Sequence, residues 1–153
     1  MKILGIDPGY SRCGWAVIND EHGVVTALAF GCIETSVGTE TAQRLREVSD
    51  RIADLLLKHH PDRVAIERLF FQTNAKTAIS VAEARGVILA TCARAGITIV
   101  EKTPNEIKLA VTGSGAADKK QVLKMVMAIC HLTEPPKPDD TADAIAIAIA
   151  GAR

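Results

Sequence analysis

The sequence predicts an α/β fold built on a five-stranded mixed sheet. Three apolar segments open the chain, and their connections are too short for crossovers, so they lie antiparallel. Two further apolar strands follow, each after a helical stretch, which is the spacing of parallel crossover units. The chain has 153 residues, 48% apolar and 24% charged. A chain of that size buries roughly 70% of its unfolded surface in a single core. Residues 1–153 are expected to form one domain, with no internal repeat and no flexible linker.

The first strand is Lys2–Asp7, stopped by the turn residues Pro8 and Gly9. Cys13–Asn19 and Val24–Glu34 are the next two strands. Thr41–His60 places Ala42, Leu45, Val48, Ile52, Leu55 and Leu56 mostly three and four residues apart, an amphipathic helix ended by Pro61. Arg63–Glu67 is the fourth strand. Asn74 can cap a helix that runs to about Ala95 and stops at Gly96. Ile97–Lys102 is the fifth strand. Thr103-Pro104-Asn105-Glu106 combines a capping box with proline at the first helical position, so a short helix follows to about Val111. Gly113 and Gly115 break it. A helix from about Asp118 to Cys130, a proline-rich loop over residues 135–138 and an alanine-rich helix from about Asp140 complete the chain.

Composition narrows the function classes. No apolar run approaches the ~18 residues of a membrane span. Asp7 interrupts the apolar start of the chain, which is therefore not a secretion signal, and a cytoplasmic location is expected. Cys13, Cys32, Cys92 and Cys130 form no Cys-x-x-Cys pair, so buried, reduced thiols are expected in place of a zinc site. His59 and His60 sit at a helix end, where histidine meets exposed carbonyls, and helix termination outranks metal binding. Net charge is zero, with 18 basic and 18 acidic residues, but the charge is unevenly spread. Residues 20–62 hold eight acids and four bases, whereas 63–94 and 102–124 each hold five bases and two acids. A neutral protein with such a polarised surface can bind a phosphate backbone through one face.

Four carboxylates stand in unusual places. Asp7 and Glu67 each end a strand at its carboxyl edge, where sites form in open α/β sheets. Asp140 and Asp143 lie three apart at the start of the last helix, on one of its faces. Asp140 is preferred to Asp139 for that reason. Taken singly, each acid has an ordinary use: Asp7 in a turn, Glu67 paired with Arg63 or Arg68, Asp140 as a cap. Gathered together they would repel one another, and a bound divalent cation resolves that repulsion. Oxygen-only ligation suits Mg²⁺, with Mn²⁺ as a substitute. Two such ions about 4 Å apart can activate a water and stabilise the leaving oxygen of a phosphodiester.

Five segments resemble the RuvC family of Holliday junction resolvases. They are Gly5-Ile6-Asp7-Pro8-Gly9, Val64-Ala65-Ile66-Glu67 with Phe70, Ala84-Arg85-Gly86-Val87, residues 113–119 from Gly113 to Lys119, and residues 140–147 from Asp140 to Ile147. The resemblance covers nearly the whole chain. It implies a ribonuclease H-like fold with helices on both faces of the sheet. It further implies a homodimer, a junction branch-migration complex as partner, and metal-dependent paired nicking of four-way DNA junctions during recombination and repair. By position, the family's catalytic acids fall on Asp7, Glu67, Asp140 and Asp143, which would hold two metal ions. Its lysines near the cleaved strand fall on Lys108 and Lys119, and its junction-contacting phenylalanine on Phe70.

Lysine is a compact charge suited to phosphate oxygens, and Lys76, Arg85 and Lys120 are expected to join Lys108 and Lys119 against the DNA. Lys124 is a backbone contact or a solvated position. Base stacking would account for Phe70, and Phe71 is assigned to core or interface. Gly86 sits mid-helix, where glycine weakens the helix; close helix packing, at a dimer interface or within the chain, would explain it. Two other classes compete. A phosphate-binding half of the actin and sugar-kinase type opens with a similar Asp-x-Gly, but needs a second domain and has no use for Asp140 and Asp143. A catalytically idle DNA-binding module would not need the four acids. A ribonuclease H or transposase-like nuclease would use similar acids on another substrate.

Overall fold

The computed structural model describes residues 1–69 and 75–153, with no side-chain account of 75–77. Expectations that rest on Phe70, Phe71, Asn74 or the side chain of Lys76 lie outside the described residues. The elements are β1 (Lys2–Asp7), β2 (Arg12–Glu21), β3 (Val24–Glu34), α1 (Thr41–His59), β4 (Arg63–Glu67), α2 (Ala75–Arg94), β5 (Thr98–Lys102), α3 (Pro104–Thr112), α4 (Lys119–Ile129) and α5 (Asp139–Gly151). The sheet order is β3-β2-β1-β4-β5. β1, β2 and β3 form an antiparallel meander, and β1, β4 and β5 run parallel. The mixed five-stranded sheet is the one the sequence predicts.

Boundaries differ where pairing outlasts the apolar pattern. β2 continues beyond Asn19 because it stays paired with β3 out to Glu21 and Val24. Only His22 and Gly23 remain as the turn, at φ 54° and 91°. Positive φ at both central residues lets a two-residue turn follow the twist of its strands. α1 stops before Pro61, because His60 takes a left-handed conformation (φ 48°) and donates its N–H to the Leu56 carbonyl. His59 packs its ring 5.9 Å from that of Trp15, a packing role consistent with helix termination. Thr103 and Glu106 form the expected capping box at α3. A second box, between Asp118 and Gln121, fixes the start of α4.

Strand periodicity then sorts side chains between two cores. Leu4, Ile6, Val17, Val64 and Ile66 pack with Val48, Ile52 and Leu56 of α1 and Ile88 and Cys92 of α2. Ile3, Ala16, Ile18 and Ala65 pack on the opposite face with α3, α4 and α5. Helices therefore cover both faces. α5 is buried almost all round, as its Ala-Ile sequence demands, and it lies so close to the sheet that a Cβ at Gly5 would strike the backbone of Ala144 and Ala148.

Cys13, Cys92 and Cys130 are buried thiols, whereas Cys32 is only half-buried, and none is disulfide-bonded. Gly86 is exposed, and among the described residues nothing outside its own helix turn and chain neighbours comes within 4 Å of where its Cβ would lie. Packing among the described residues therefore does not explain it. Among the described residues, no helix is long and apolar enough to cross a membrane.

Candidate active site

The period of two that builds the cores also builds the site. Asp7 follows Ile3 and Gly5 on the face of β1 that meets α5, and Glu67 follows Ala65 on the same face of β4. The parallel register pairs Ile6 with Ile66, so the two carboxylates leave the sheet side by side. α5 brings its N-terminus to the same place. There Gly14 of β2, paired with Asp7, leaves room for the backbone of Asp140, whose carbonyl would collide with any Cβ at that position. Asp143 stands one helical turn further along α5, half-buried.

The electrostatics record this convergence. Asp7 is pushed up to about 8, first by burial and then by Asp143, Glu67 and Asp140, with Lys119 opposing them. Burial also raises Glu67, reinforced by Asp143 and countered by Lys108 on α3. Asp143 is raised by burial against the lowering effect of Lys119. The structure thus brings Asp7, Glu67, Asp140, Asp143, Lys108 and Lys119 into one electrostatic cluster.

Two cations brace its rim. Lys119, set at the first position of α4 by the Asp118 cap, donates from Nζ to Asp143 Oδ2 and to Asp139 Oδ2, each at 3.0 Å. Its bond with Asp143 is the main reason its own pKa rises. Arg12 places Nε 3.1 Å from Asp140 Oδ2 and Nη2 4.0 Å from Asp139 Oδ1. Asp140 Oδ2 is buried and, despite the nearby guanidinium, accepts no well-formed hydrogen bond from the described residues.

Among the described residues, no three His, Cys, Asp or Glu side chains converge as a ready-made ligand set. Asp139 and Asp143 are instead ion-paired to Lys119, and Asp140 to Arg12. The donors nevertheless suit a hard divalent cation. They are all carboxylate oxygens, three of them on acids whose charged form is disfavoured by burial and mutual repulsion, and the buried Asp140 Oδ2 has only a poorly directed guanidinium beside it among the described residues.

The remaining expected contacts divide. Lys120 and Lys124 are exposed on α4. Arg85, expected against DNA, is committed inward: Nε donates to the Glu67 carbonyl at 3.1 Å and Nη2 to Glu101. It braces the end of β4. Its guanidinium turns to the sheet because β4 and β5 offer a carbonyl and a carboxylate within its fork. Phe70 and the Lys76 side chain lie outside the described residues. Arg12, Asp139 and Gly14 were not legible as site residues, for the pairing that joins them to α5 is long-range. The Asp118-x-x-Gln121 box was a readable local signal for the placement of Lys119.

The family model described as crossover junction endodeoxyribonuclease RuvC matches residues 3–151. The chain is 48% identical over 149 residues to the crossover junction endodeoxyribonuclease RuvC of Syntrophomonas wolfei, covering 97% of this chain and 87% of that protein. Its fold is similar to the Thermus thermophilus RuvC structure, with a TM-score of 0.91 at 32% identity, covering 99% of this chain and 93% of that one. The T. thermophilus RuvC in complex with Holliday junction substrate gives a TM-score of 0.94 at the same identity and coverage. The shared architecture is ribonuclease H-like.

Proposed function

The chain belongs to the RuvC family of crossover junction endodeoxyribonucleases, and from that premise we propose that Asp7, Glu67, Asp140 and Asp143 cut the strands of a four-way DNA junction. The protein is a Holliday junction-resolving endonuclease, and dependence on a divalent metal is a general property of its family. One observation carries the residue assignment. Asp7, half-buried at the carboxyl end of β1, is pushed up to about 8 by burial and by the charges of Asp143, Glu67 and Asp140, so its ionised form needs a compensating cation.

The four acids would hold the metal, and Mg²⁺, with Mn²⁺ as a substitute and two ions per site, fits the oxygen donors. When bound, such ions neutralise charge on the scissile phosphate and acidify the attacking water. The chain's own residues supply the rest. β1, β4 and α5 fix the acids at the carboxyl ends of two neighbouring parallel strands. Lys119, protonated at neutral pH, stands against Asp143 and stabilises negative charge as the water oxygen bonds to phosphorus and the sugar oxygen leaves. Lys108, close enough to Glu67 to lower its pKa, offers a second positive charge. Lys120 and Lys76 extend the phosphate track, and Phe70 stacks on an unpaired base at the opened junction.

We further propose a homodimer, because one acidic cluster cuts one strand and a two-fold pair matches the symmetry of a four-way junction. The outer face of α2 suits the contact: Ile79 is 63% exposed, and Gly86, Ala90 and Ala93 leave a small-residue surface beside it. A branch-migration complex and a cytoplasmic setting accord with the same role. The test compares cleavage of four-way junctions, RNA–DNA hybrids and plain duplex in Mg²⁺. Preference for the junction, lost on Asp7→Asn, supports the proposal; equal cleavage of hybrid or duplex overturns it.

A further inference from the structure

The turn that joins Asp7 to Arg12 is held from beneath by a buried cation. Arg44, on the first turn of α1, is 9% exposed. Its Nε donates to Thr35 Oγ1 at 2.9 Å, and its Nη2 donates to Ser11 Oγ at 3.0 Å. The guanidinium lies 4.0 Å from the centre of the Tyr10 ring. Thr35 closes the network, donating its hydroxyl to the Tyr10 carbonyl at 2.9 Å and its N–H to the Ser11 carbonyl at 3.1 Å. The Tyr10 hydroxyl in turn donates to Thr41 Oγ1 at 3.1 Å, at the start of α1.

No carboxylate among the described residues pairs with Arg44. Sequestering a guanidinium with hydroxyl partners alone is costly, and an apolar side chain of similar length would fill the space more cheaply. What only arginine provides is a rigid planar fork, two of whose donors reach different partners while its face covers an aromatic ring. Here the fork ties two consecutive turn residues, Tyr10 and Ser11, to α1 and to the end of β3. Asp7 enters that turn and Arg12 leaves it, and both side chains serve the acidic cluster: Asp7 as its half-buried member on β1, Arg12 as the partner of Asp140.

We infer that Arg44 is a positioning residue for strand cleavage, clamping the turn over residues 8–11 so that Asp7 and Arg12 are held against Asp140. The inference rests on the reading of the acidic cluster as the nuclease site. Arg44 touches neither phosphate nor metal ligand; its effect passes through Tyr10 and Ser11.

The test uses Arg44→Lys, which keeps the charge and loses the fork, with Ser11→Ala and Thr35→Val each removing one leg. For each full-length variant, three quantities are measured: junction affinity in chelator, cleavage rate per folded molecule at saturating junction, and Mn²⁺ affinity without DNA. Arg44→Lys is expected to cleave about tenfold more slowly and to bind Mn²⁺ about tenfold more weakly, with junction affinity close to that of the unaltered protein. Ser11→Ala and Thr35→Val should shift rate and Mn²⁺ affinity in the same direction by smaller factors. Unaltered rate and Mn²⁺ affinity in Arg44→Lys, whatever its melting temperature, would overturn the inference. If Arg44→Lys does not fold, unaltered rate and Mn²⁺ affinity in both single-leg variants overturn it equally. Failure of the underlying site reading is distinguishable, because Asp7→Asn would then cleave at the normal rate.

Discussion

At Asp7, burial and like charges act in the same direction, and the consequence is a measurable pH dependence. Its carboxyl is raised from 3.8 to about 8 in the folded chain. Between those values the folded state binds more protons than the unfolded chain, so metal-free stability falls as pH rises from about 4 to 8. Asp7→Asn removes the ionisable group. It should make the metal-free protein more stable at pH 8 by about 1–3 kcal/mol, read as a higher melting temperature, and flatten the pH profile. A lower melting temperature across the whole range would contradict the raised pKa. Around the rim, Asp143 is half-buried and shares Lys119 with the exposed Asp139. Asp143→Asn should therefore damage cleavage at least as much as Asp139→Asn, and the reverse order in a side-by-side rate measurement would shift the metal assignment along α5. Phe70→Ala should slow cleavage strongly with the fold retained, because stacking is worth roughly 1–3 kcal/mol per base. Phe70→Trp should preserve much of the rate. A lowered melting temperature with normal activity per folded molecule would make Phe70 a core residue.

At the scale of elements, the site depends on how closely α5 meets the sheet. A methyl group at Gly14 collides with the Asp140 backbone, so Gly14→Ala must push the start of α5 away from β2. It is expected to cost about 1–3 kcal/mol of stability and to lower cleavage more than junction binding. Wild-type cleavage in Gly14→Ala would show that Asp140 tolerates displacement. Local sequence signals described the elements well: the strand pattern gave Lys2–Asp7, Val24–Glu34 and Arg63–Glu67, and the Thr103–Glu106 box gave the start of α3. The acids were legible because each ends a strand or opens a helix. Arg12, Asp139 and the Arg44 clamp were not, because their meaning lies in pairings across 9 to more than 100 positions of the chain. The inward partners of Arg85 were hidden for the same reason. A basic residue on a helix reads as surface charge until the strand it faces is known, and here that strand supplies the Glu67 carbonyl.

For the whole molecule, the proposed function divides a chain of zero net charge into basic groups that would give affinity and acidic groups that would give chemistry. Junction affinity should fall steeply between low and physiological salt, because lysines and arginines release counterions from the phosphates they neutralise. Paired nicking should further require the dimer, and a bulky substitution such as Gly86→Trp on the open face of α2 should yield a folded monomer that loses concerted cutting. The central claim is that Asp7, Glu67, Asp140 and Asp143 perform cleavage while binding resides elsewhere. Its most direct test is to measure four-way-junction affinity and cleavage rate on one preparation of Asp7→Asn in Mg²⁺. The account predicts cleavage lowered by roughly a hundredfold or more with affinity nearly unchanged; cleavage at the normal rate, or affinity lost in parallel with it, would contradict the account.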